Sequence, residues 1–331
     1  MTVHLERSPR NSERRARRAI GFTQTGGKSK EGATSKEPLL PPQRDVSVVE
    51  VGPRDGLQNE ASSIPTSVKI AFVNALSVSG LPIIEVTSFV NPKAVPQLSD
   101  AIEVMTGIQR VKGTRYPVLV PNQRGFDRAL EAKADAIALF TSATEAFAQA
   151  NVGTSIDGTF ERFGPVAADA RRRGFWVRGY VSVAFGCPYL GPVDISAVVS
   201  AAERLLELGC DEVCLADTIG TATQESVTST VQATRESIPI DQLALHFHDT
   251  SGSALANVER ALELGVRTFD SAAGGLGGCP FAPGAPGNLA TEQLIGRMEL
   301  LGLRTGTHLD AVKAAVDVVR PFVPRLRRLT A

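Results

Sequence analysis

One phrase recurs along this chain and constrains its fold more than any other feature: an amphipathic helical stretch, a turn residue, then a short apolar, β-branched run. It is seen in "FVNALSVSGLPIIEVTS", "ALEAKADAIALFTS", "LLELGCDEVCLADT" and "ALELGVRTFDS". Short apolar runs that alternate with helical stretches are typical of parallel β-α-β units, whose strands are buried on both faces. The pattern therefore predicts an α/β protein with a parallel sheet.

The number of these units favours a closed (β/α)8 barrel. We predict eight strands, at residues 46–51, 82–86, 117–121, 136–141, 175–182, 212–216, 242–248 and 267–271. Eight units in about 250 residues are the usual content of a TIM barrel. The alternative is an open doubly wound sheet, but no G-x-G-x-x-G follows the first strand. We therefore expect a TIM-barrel catalytic domain over residues 45–331.

Residues 1–44 differ in composition from the rest of the chain. They contain ten Lys or Arg residues and four Glu residues, and they lack an apolar period, so we interpret them as a disordered basic extension. A mitochondrial transit peptide is the alternative, but such peptides avoid acids, and this stretch carries Glu6, Glu13, Glu31 and Glu37. We expect a cytoplasmic protein, or one of the mitochondrial matrix if the extension is a transit peptide.

Composition also limits the partners of the chain. The formal net charge is zero, so the part outside the basic extension is mildly acidic, which disfavours a nucleic-acid partner. No apolar run reaches the ~18 residues of a membrane span, so no membrane partner is expected. No CxxC pair occurs, and we interpret the four cysteines as reduced thiols of an intracellular protein: Cys187, Cys210, Cys214 and Cys279.

Polar residues concentrate where the predicted strands end. The first strand ends in "EVGPRDGLQNE", the second in "IEVTSF", the sixth in "CLADTIG" and the seventh in "LHFHDTSG", and "SAAGGLGGCPFAPGAPGN" follows the eighth. In barrel enzymes the catalytic groups lie at the carboxyl ends of the strands and in the loops that follow them. We therefore expect the active site at that end.

Two histidines of the seventh strand indicate a metal site. Alternate side chains of a strand share a face, so His246 and His248 are expected to point into the barrel while Phe247 points toward the helices. Two imidazoles on one face can chelate a single ion. The alternative is a pair of hydrogen-bonded core histidines, but the neighbouring polar strand ends favour the metal site.

Two oxygen donors can complete this ligand set. Asp55 follows the first strand, which barrel closure brings near the seventh and eighth strands, and Asn288 follows the glycine-rich stretch. Two nitrogen and two oxygen ligands suit Mg²⁺ or Mn²⁺ better than a closed structural zinc site. The alternatives are a turn carboxylate for Asp55 and an N-cap for Asn288.

These motifs together resemble those of the 3-hydroxy-3-methylglutaryl-CoA lyase family. The resemblance covers residues 46–309 and rests on "VEVGPRDGLQNE", "IEVTSFVNPKAVPQ", "YVSVAFGCPYLG", "LADTIGTAT", "HFHDTSGSALANV" and "GLGGCPFAPGAPGNLATEQL". It implies a metal-dependent barrel that cleaves this acyl-CoA to acetyl-CoA and acetoacetate, often as a homodimer. It also implies that the metal ligands fall on Asp55, His246, His248 and Asn288.

The resemblance implies four further site residues. The arginine beside the ligand falls on Arg54, and the catalytic cysteine falls on Cys279. Arg54 can neutralise charge that develops on the thioester oxygen, and a thiol within a glycine-rich loop can protonate the enolate. Cys187 is the rival thiol. Glu85 and Asp217 are interpreted as carboxylates that orient Arg54 and the histidines.

Two departures from the family pattern place the acyl group in question. Ala94 stands where members commonly carry Trp, and Ser251 where they commonly carry Tyr. A related substrate, citramalyl-CoA or a longer 3-hydroxy-3-alkylglutaryl-CoA, is therefore the alternative. Rival functions are a condensing synthase of the same superfamily and a non-catalytic barrel that binds CoA esters. Amidohydrolases place their HxH on the first strand, not the seventh.

Overall fold

Eight parallel strands form the centre of the chain. The computed structural model describes residues 44–327 apart from 59, 61, 280 and 281, and for 279, 282–286 and 327 it describes the backbone alone. The strands are β1 Ser47–Glu50, β2 Ile83–Ile84, β3 Val118–Leu119, β4 Ala136–Ser142, β5 Trp176–Ser182, β6 Glu212–Asp217, β7 Leu243–Phe247 and β8 Thr268–Ser271. Each strand lies inside its predicted range or extends one residue beyond it, so all eight predicted strands are confirmed.

The strands close into a barrel. Their order is β2-β1-β8-β7-β6-β5-β4-β3, which leaves β2 and β3 as the two ends to be joined. The amide of Ile84 donates to the Arg115 carbonyl at 2.9 Å, the amide of Val86 donates to the Pro117 carbonyl at 3.0 Å, and a parallel bridge pairs Ser88 with Leu119. The predicted (β/α)8 barrel is therefore confirmed.

Helices surround the barrel and bury its outer face. They are α1 Thr66–Ser77, α2 Ala101–Gly107, α3 Gln123–Glu131, α4 Glu145–Val152, α5 Ile156–Arg172, α6 Ile195–Leu208, α7 Gln224–Thr234, α8 Ala254–Glu263, α9 Thr291–Leu300, α10 Leu309–Val319 and α11 Pro324–Arg327. Local signals set their ends. At the start of α6, the Asp194 carboxylate accepts the Ser196 amide at 2.9 Å. At its end, Gly209 has φ +97°, a conformation that glycine adopts without a steric penalty.

The barrel interior and the outer layer hold different residues. The small apolar cluster inside the barrel consists of Leu119, Ala138, Tyr180, Cys214 and Ala244. The much larger core between strands and helices contains Phe247, whose ring lies 5.8 Å from that of Phe185. Phe247 thus faces outward between two inward-facing histidines, as strand alternation predicts. No helix of the described part of the chain is long and apolar enough to cross a membrane.

The barrel begins one residue earlier than predicted. Arg44, assigned above to the extension, donates from Nη2 to the Gly80 carbonyl at 2.7 Å and from Nε to the Thr305 carbonyl at 3.1 Å. The predicted disorder of the preceding residues concerns a stretch outside the described residues. A short antiparallel hairpin, β9 Gly278–Cys279 with β10 Ala282–Pro286, follows β8.

Candidate active site and metal centre

A single π-helical turn, Gly52–Gly56, carries Arg54 and Asp55 past the end of β1. Pro53 fixes the backbone near the start of this turn, and the Gly52 amide donates to Glu50 Oε1 at 2.7 Å. A Cβ at Gly52 would lie 2.5 Å from that same oxygen, so the turn requires glycine there. The two charged side chains are therefore presented at the carboxyl end of the barrel, where the sequence predicted them.

Glu50 ties this turn to two other elements, and the sequence analysis missed it. Its buried carboxyl group accepts the amides of Gly52 and Ala273 and the hydroxyl of Thr291, the last at 2.6 Å. Burial raises the pKa of Glu50 to about 8, although the hydrogen bonds from Thr291, Ala273 and Gly52 oppose the shift. An acidic residue at the end of an apolar strand was the available signal.

Asp55, His246 and His248 form a group that can hold a metal ion. One ligand atom from each residue lies within 4.8 Å of the other two, and the imidazole centroids are 5.1 Å apart. Both histidines are buried at the end of β7. Burial alone would raise the pKa of Asp55, but the charge of Arg54 and a hydrogen bond from His248 outweigh it and hold that pKa well below its ordinary value. The carboxylate is therefore ionised, as a ligand must be.

Asn288 completes the set from the far side. Its Nδ2 donates to Asp55 Oδ2 at 2.8 Å and to the Leu276 carbonyl at 3.0 Å. Its Oδ1 is buried and has no hydrogen-bond partner among the described residues. A buried oxygen without a donor is expected to accept from water or an ion, so the four residues fit a divalent cation. The N-cap alternative is wrong, because Ala290 occupies the N-cap position of α9.

Arg54 is held beside this group by two carboxylates. Its guanidinium lies 2.7 Å from Glu85 Oε2 and 2.6 Å from Asp55 Oδ1, and Glu85 also accepts the Tyr180 hydroxyl at 3.3 Å. Burial alone would lower the pKa of Arg54, but Glu85 and Asp55 outweigh it and raise that pKa above its ordinary value. The structure thus brings Glu85 into contact with Arg54, as the sequence analysis expected.

The carboxylate that orients a histidine is Asp270, which the sequence analysis did not name. His246 Nδ1 lies 3.1 Å from Asp270 Oδ2, and Arg178 donates to the other oxygen at 2.7 Å. Asp217 had been expected in this role, but its carboxylate accepts the backbone amides of Thr221 and Ala222 at 2.9 and 3.1 Å. Asp217 therefore shapes its own loop.

The two candidate thiols lie in different surroundings. The backbone of Cys279 lies in β9, one residue beyond Gly278, which lines the central cavity; its side chain lies outside what the structure describes. Cys187 is buried, its Sγ is 3.3 Å from the Thr144 hydroxyl, and its backbone forms two 2.8 Å bonds with Gly191. These contacts indicate a packing role for Cys187.

A cavity of about 510 Å³ opens above the site. Its walls include Arg54, Asp55, His246 and His248, and they reach outward to Ala94 in the loop after β2 and to Asn151 in α4. Ala94, one of the two departures from the family pattern, therefore borders the substrate space. Ser251, the other, donates its hydroxyl to the Gly220 carbonyl at 2.7 Å.

The sequence is similar to known lyases over most of its length. The HMGL-like family model matches residues 45–319. The mitochondrial hydroxymethylglutaryl-CoA lyase of Rattus norvegicus is 48% identical over 287 residues, which cover 87% of this chain and 88% of the relative. The cytoplasmic 3-hydroxy-3-methylglutaryl-CoA lyase of Homo sapiens is 48% identical over 274 residues, 83% of this chain and 74% of the relative.

Solved structures agree in fold. The HMG-CoA lyase of Brucella melitensis superposes with a TM-score of 0.84 at 48% identity and covers 85% of this chain and 100% of its own. An HMG-CoA lyase of Acinetobacter baumannii, in complex with coenzyme A and 3-methylmalate, has a TM-score of 0.80 at 42% identity, with 84% and 91% covered. With its fold, its motifs and these relatives in agreement, the chain belongs to the HMGL-like family.

Proposed function

We propose that this chain is a carbon–carbon lyase that cleaves 3-hydroxy-3-methylglutaryl-CoA to acetyl-CoA and acetoacetate. The observation that carries the proposal is the Asp55–His246–His248–Asn288 group at the floor of the cavity, with the Arg54 guanidinium beside it. The relatives that match nearly the whole barrel are named as lyases of this substrate, which favours a lyase over a condensing synthase or a non-catalytic CoA-ester binder.

The four residues would hold a divalent cation, Mg²⁺ or Mn²⁺, through the Asp55 carboxylate, the two imidazoles and the free Asn288 Oδ1. Bound there, the cation would lower the pKa of the C3 hydroxyl and fix the substrate. Asn288 Nδ2 donates to Asp55 Oδ2, which orients that carboxylate. Asp270 accepts Nδ1–H of His246 and so leaves the Nε2 lone pair for a ligand bond.

Cleavage breaks the C2–C3 bond. The C3 hydroxyl gives its proton to solvent, and its oxygen becomes the ketone of acetoacetate. The electrons of the broken bond pass to C2, which leaves as the enolate of acetyl-CoA and takes up one proton in turn. Arg54, kept protonated by Glu85 and Asp55, stabilises the negative charge on the thioester oxygen. We assign to Cys279 the proton that C2 then receives; its position beside the cavity-lining Gly278 supports the assignment.

A panel of 3-hydroxyacyl-CoA esters tests the substrate. Release of acetyl-CoA should be fastest, by kcat/KM, from 3-hydroxy-3-methylglutaryl-CoA. Citramalyl-CoA and a 3-hydroxy-3-alkylglutaryl-CoA with a longer alkyl group should be poorer substrates, although Ala94 leaves space in the cavity wall. A longer ester that is cleaved faster would overturn the assignment of the acyl group. No cleavage of any ester with Mg²⁺ or Mn²⁺ present would overturn the lyase proposal itself.

The location and assembly of the chain are part of the same proposal. Similar lyases include mitochondrial and cytoplasmic forms. We assign this chain to the cytoplasm, because four acidic residues interrupt its basic N-terminal stretch. A fluorescent fusion that colocalises with mitochondria would contradict this assignment. We also propose a homodimer, which light scattering of the purified protein checks directly.

A further inference from the structure

The last helix reaches two active-site loops through one side chain. Arg325, in α11, donates from Nε to Glu60 Oε1 at 2.9 Å and from Nη1 to the Gly275 carbonyl at 2.7 Å. Glu60 follows the Gly52–Gly56 turn that carries Arg54 and Asp55, and its side chain is only 9% exposed. Gly275 is the second residue of the glycine-rich segment Gly274–Gly278, which leads to β9 and Asn288. One guanidinium therefore links the segment that carries Arg54 and Asp55 to the segment that leads to Asn288.

Both anchor points lie close to metal-site residues. The Glu60 amide donates to the Leu57 carbonyl at 3.1 Å, two residues beyond Asp55. Gly275 precedes Leu276, whose carbonyl accepts Asn288 Nδ2 at 3.0 Å. The two loops also touch directly, since a Cβ at Gly56 would lie 2.7 Å from that of Leu276. A shift at either anchor is therefore transmitted to a metal-site residue through one or two residues of backbone.

Helix α11 packs firmly against the barrel, so the backbone that carries Arg325 is held in place. Leu326 is 1% exposed, and a Cβ at Gly274 would lie 3.2 Å from its Cδ2. Arg320 donates to the Leu326 carbonyl at 3.0 Å. In contrast, Gly274 and Gly275 have φ of +70° and +59°, and such glycines leave the backbone several accessible conformations. The bond from Arg325 to the Gly275 carbonyl adds to the restraints on this segment, in which the Gly274 amide donates to Glu292 and the Gly275 amide donates to the Ala272 carbonyl.

We propose that Arg325 is a positioning residue for the lyase reaction. It fixes the position of the Gly52–Gly56 turn, which carries Arg54 and Asp55, relative to the glycine-rich segment Gly274–Gly278. It touches neither the metal-site residues nor the cavity in the described contacts, and it acts through Glu60 and Gly275. The catalytic part of this inference rests on the proposed function above; the mechanical part does not. A guanidinium suits the task because its planar fork donates to a carboxylate and a carbonyl at once.

Hydrogen exchange tests the mechanical part without any assay of activity. In Arg325→Ala, exchange should be faster in both segments, including the Gly275 amide, which donates to the Ala272 carbonyl at 2.8 Å. Glu60→Ala should also speed exchange at Gly274–Leu276, because the substitution frees Arg325, although none of the described contacts joins Glu60 to that segment directly. Lys313→Ala is the control: Lys313 is an exposed cation of α10 paired with Asp310 at 3.6 Å. Unchanged exchange at Gly274–Leu276 in Arg325→Ala overturns the proposal.

Turnover tests the catalytic part. Misplacement of reacting groups by about 1 Å can lower turnover roughly 100-fold, so we expect kcat in Arg325→Ala to fall by roughly 10-fold or more. KM should stay within about a factor of two, because substrate contacts are retained. Arg325→Ala combined with Glu60→Ala should be no slower than Arg325→Ala alone, since one interaction is removed twice. If the double variant shows the product of the two single kcat losses, or if Lys313→Ala loses as much kcat as Arg325→Ala, the positioning role is overturned. If the wild-type protein does not cleave the substrate, the proposed function fails while the exchange result still decides the mechanical link.

Discussion

Asp270→Asn is expected to weaken metal binding by reversing the tautomer of His246. In the native site Asp270 Oδ2 faces His246 Nδ1 at 3.1 Å, while Oδ1 accepts Arg178 Nη2 at 2.7 Å. Arg178 can only donate, so an asparagine there turns its oxygen toward Arg178 and its NH₂ toward His246. The imidazole must then accept at Nδ1 and carry its proton on Nε2, which removes the lone pair that a metal ligand needs.

The expected losses of metal affinity and of stability in Asp270→Asn follow from the contacts of Asp270 with His246 and Arg178. Hydrogen-bond partners of metal-binding histidines typically contribute about 10- to 100-fold to metal affinity. We expect Asp270→Asn to lower the affinity for metal by about 100-fold. Arg178 and Asp270 are both fully buried. Removing one partner of a buried ion pair typically costs about 3–5 kcal/mol of unfolding free energy, an upper limit here because asparagine keeps two hydrogen bonds.

Calorimetric titration of metal-free protein with Mn²⁺ provides the assay. Asp217→Asn is the matched control, because Asp217 is also a buried strand-end carboxylate but bonds only to the backbone amides of Thr221 and Ala222 in the described contacts. Its Mn²⁺ affinity should stay within about threefold of the wild type, well short of the loss expected for an orienting carboxylate. Equal affinities in Asp270→Asn and the wild type would refute the tautomer argument. A larger loss of Mn²⁺ affinity in Asp217→Asn than in Asp270→Asn would show that Asp217, and not Asp270, orients the histidine.

Cys279→Ala should lower kcat by about 10²- to 10⁴-fold with metal affinity unchanged, whereas Cys187→Ala should be mild; the reverse pattern in steady-state assays would identify the wrong thiol. Burial raises the pKa of Glu50 to about 8, so the folded protein keeps a proton that the unfolded chain releases. From about pH 5 to about pH 8 this group should lower the unfolding free energy by about 1.4 kcal/mol per pH unit. Glu50→Gln should flatten that slope in denaturant titrations of metal-free protein, and an unchanged slope would contradict the assignment. A chain that begins at Arg44 should keep the melting temperature and kcat of the full chain, and a clear loss of either would show that residues 1–43 contribute.

The strands and the orientation of the two histidines at the end of β7 could be predicted because both depend on short-range pattern. Strand alternation places His246 and His248 on one face whatever else the chain does. The barrel closure then determines which strand ends meet, and it brings Asp55 to within 3.9 Å of His248. An N-cap role for Asn288 could not be excluded from sequence, because the choice depends on a contact with Asp55 across 233 positions.

The supporting contacts could not be predicted, because their partners lie far apart in sequence. Arg178 and Asp270 are separated by 92 positions, and Arg325 and Glu60 by 265. A charged residue within an apolar strand indicates that a partner exists, but it does not say which one. Asp217 and Asp270 both fit the expected orienting role by residue type and strand position. Only the register of β7 with β8, which pairs His246 with Asp270, distinguishes them.

Metal-dependent cleavage of 3-hydroxy-3-methylglutaryl-CoA is the decisive test of the proposed lyase activity. The measurement is the release of acetyl-CoA and acetoacetate by protein treated with EDTA, before and after Mg²⁺ or Mn²⁺ is added back. We expect no release without metal, release of both products in equal amounts once metal is restored, and much weaker recovery in Asp55→Ala or His246→Ala. Full activity of the metal-free protein, or no cleavage after metal is restored, would contradict the proposal.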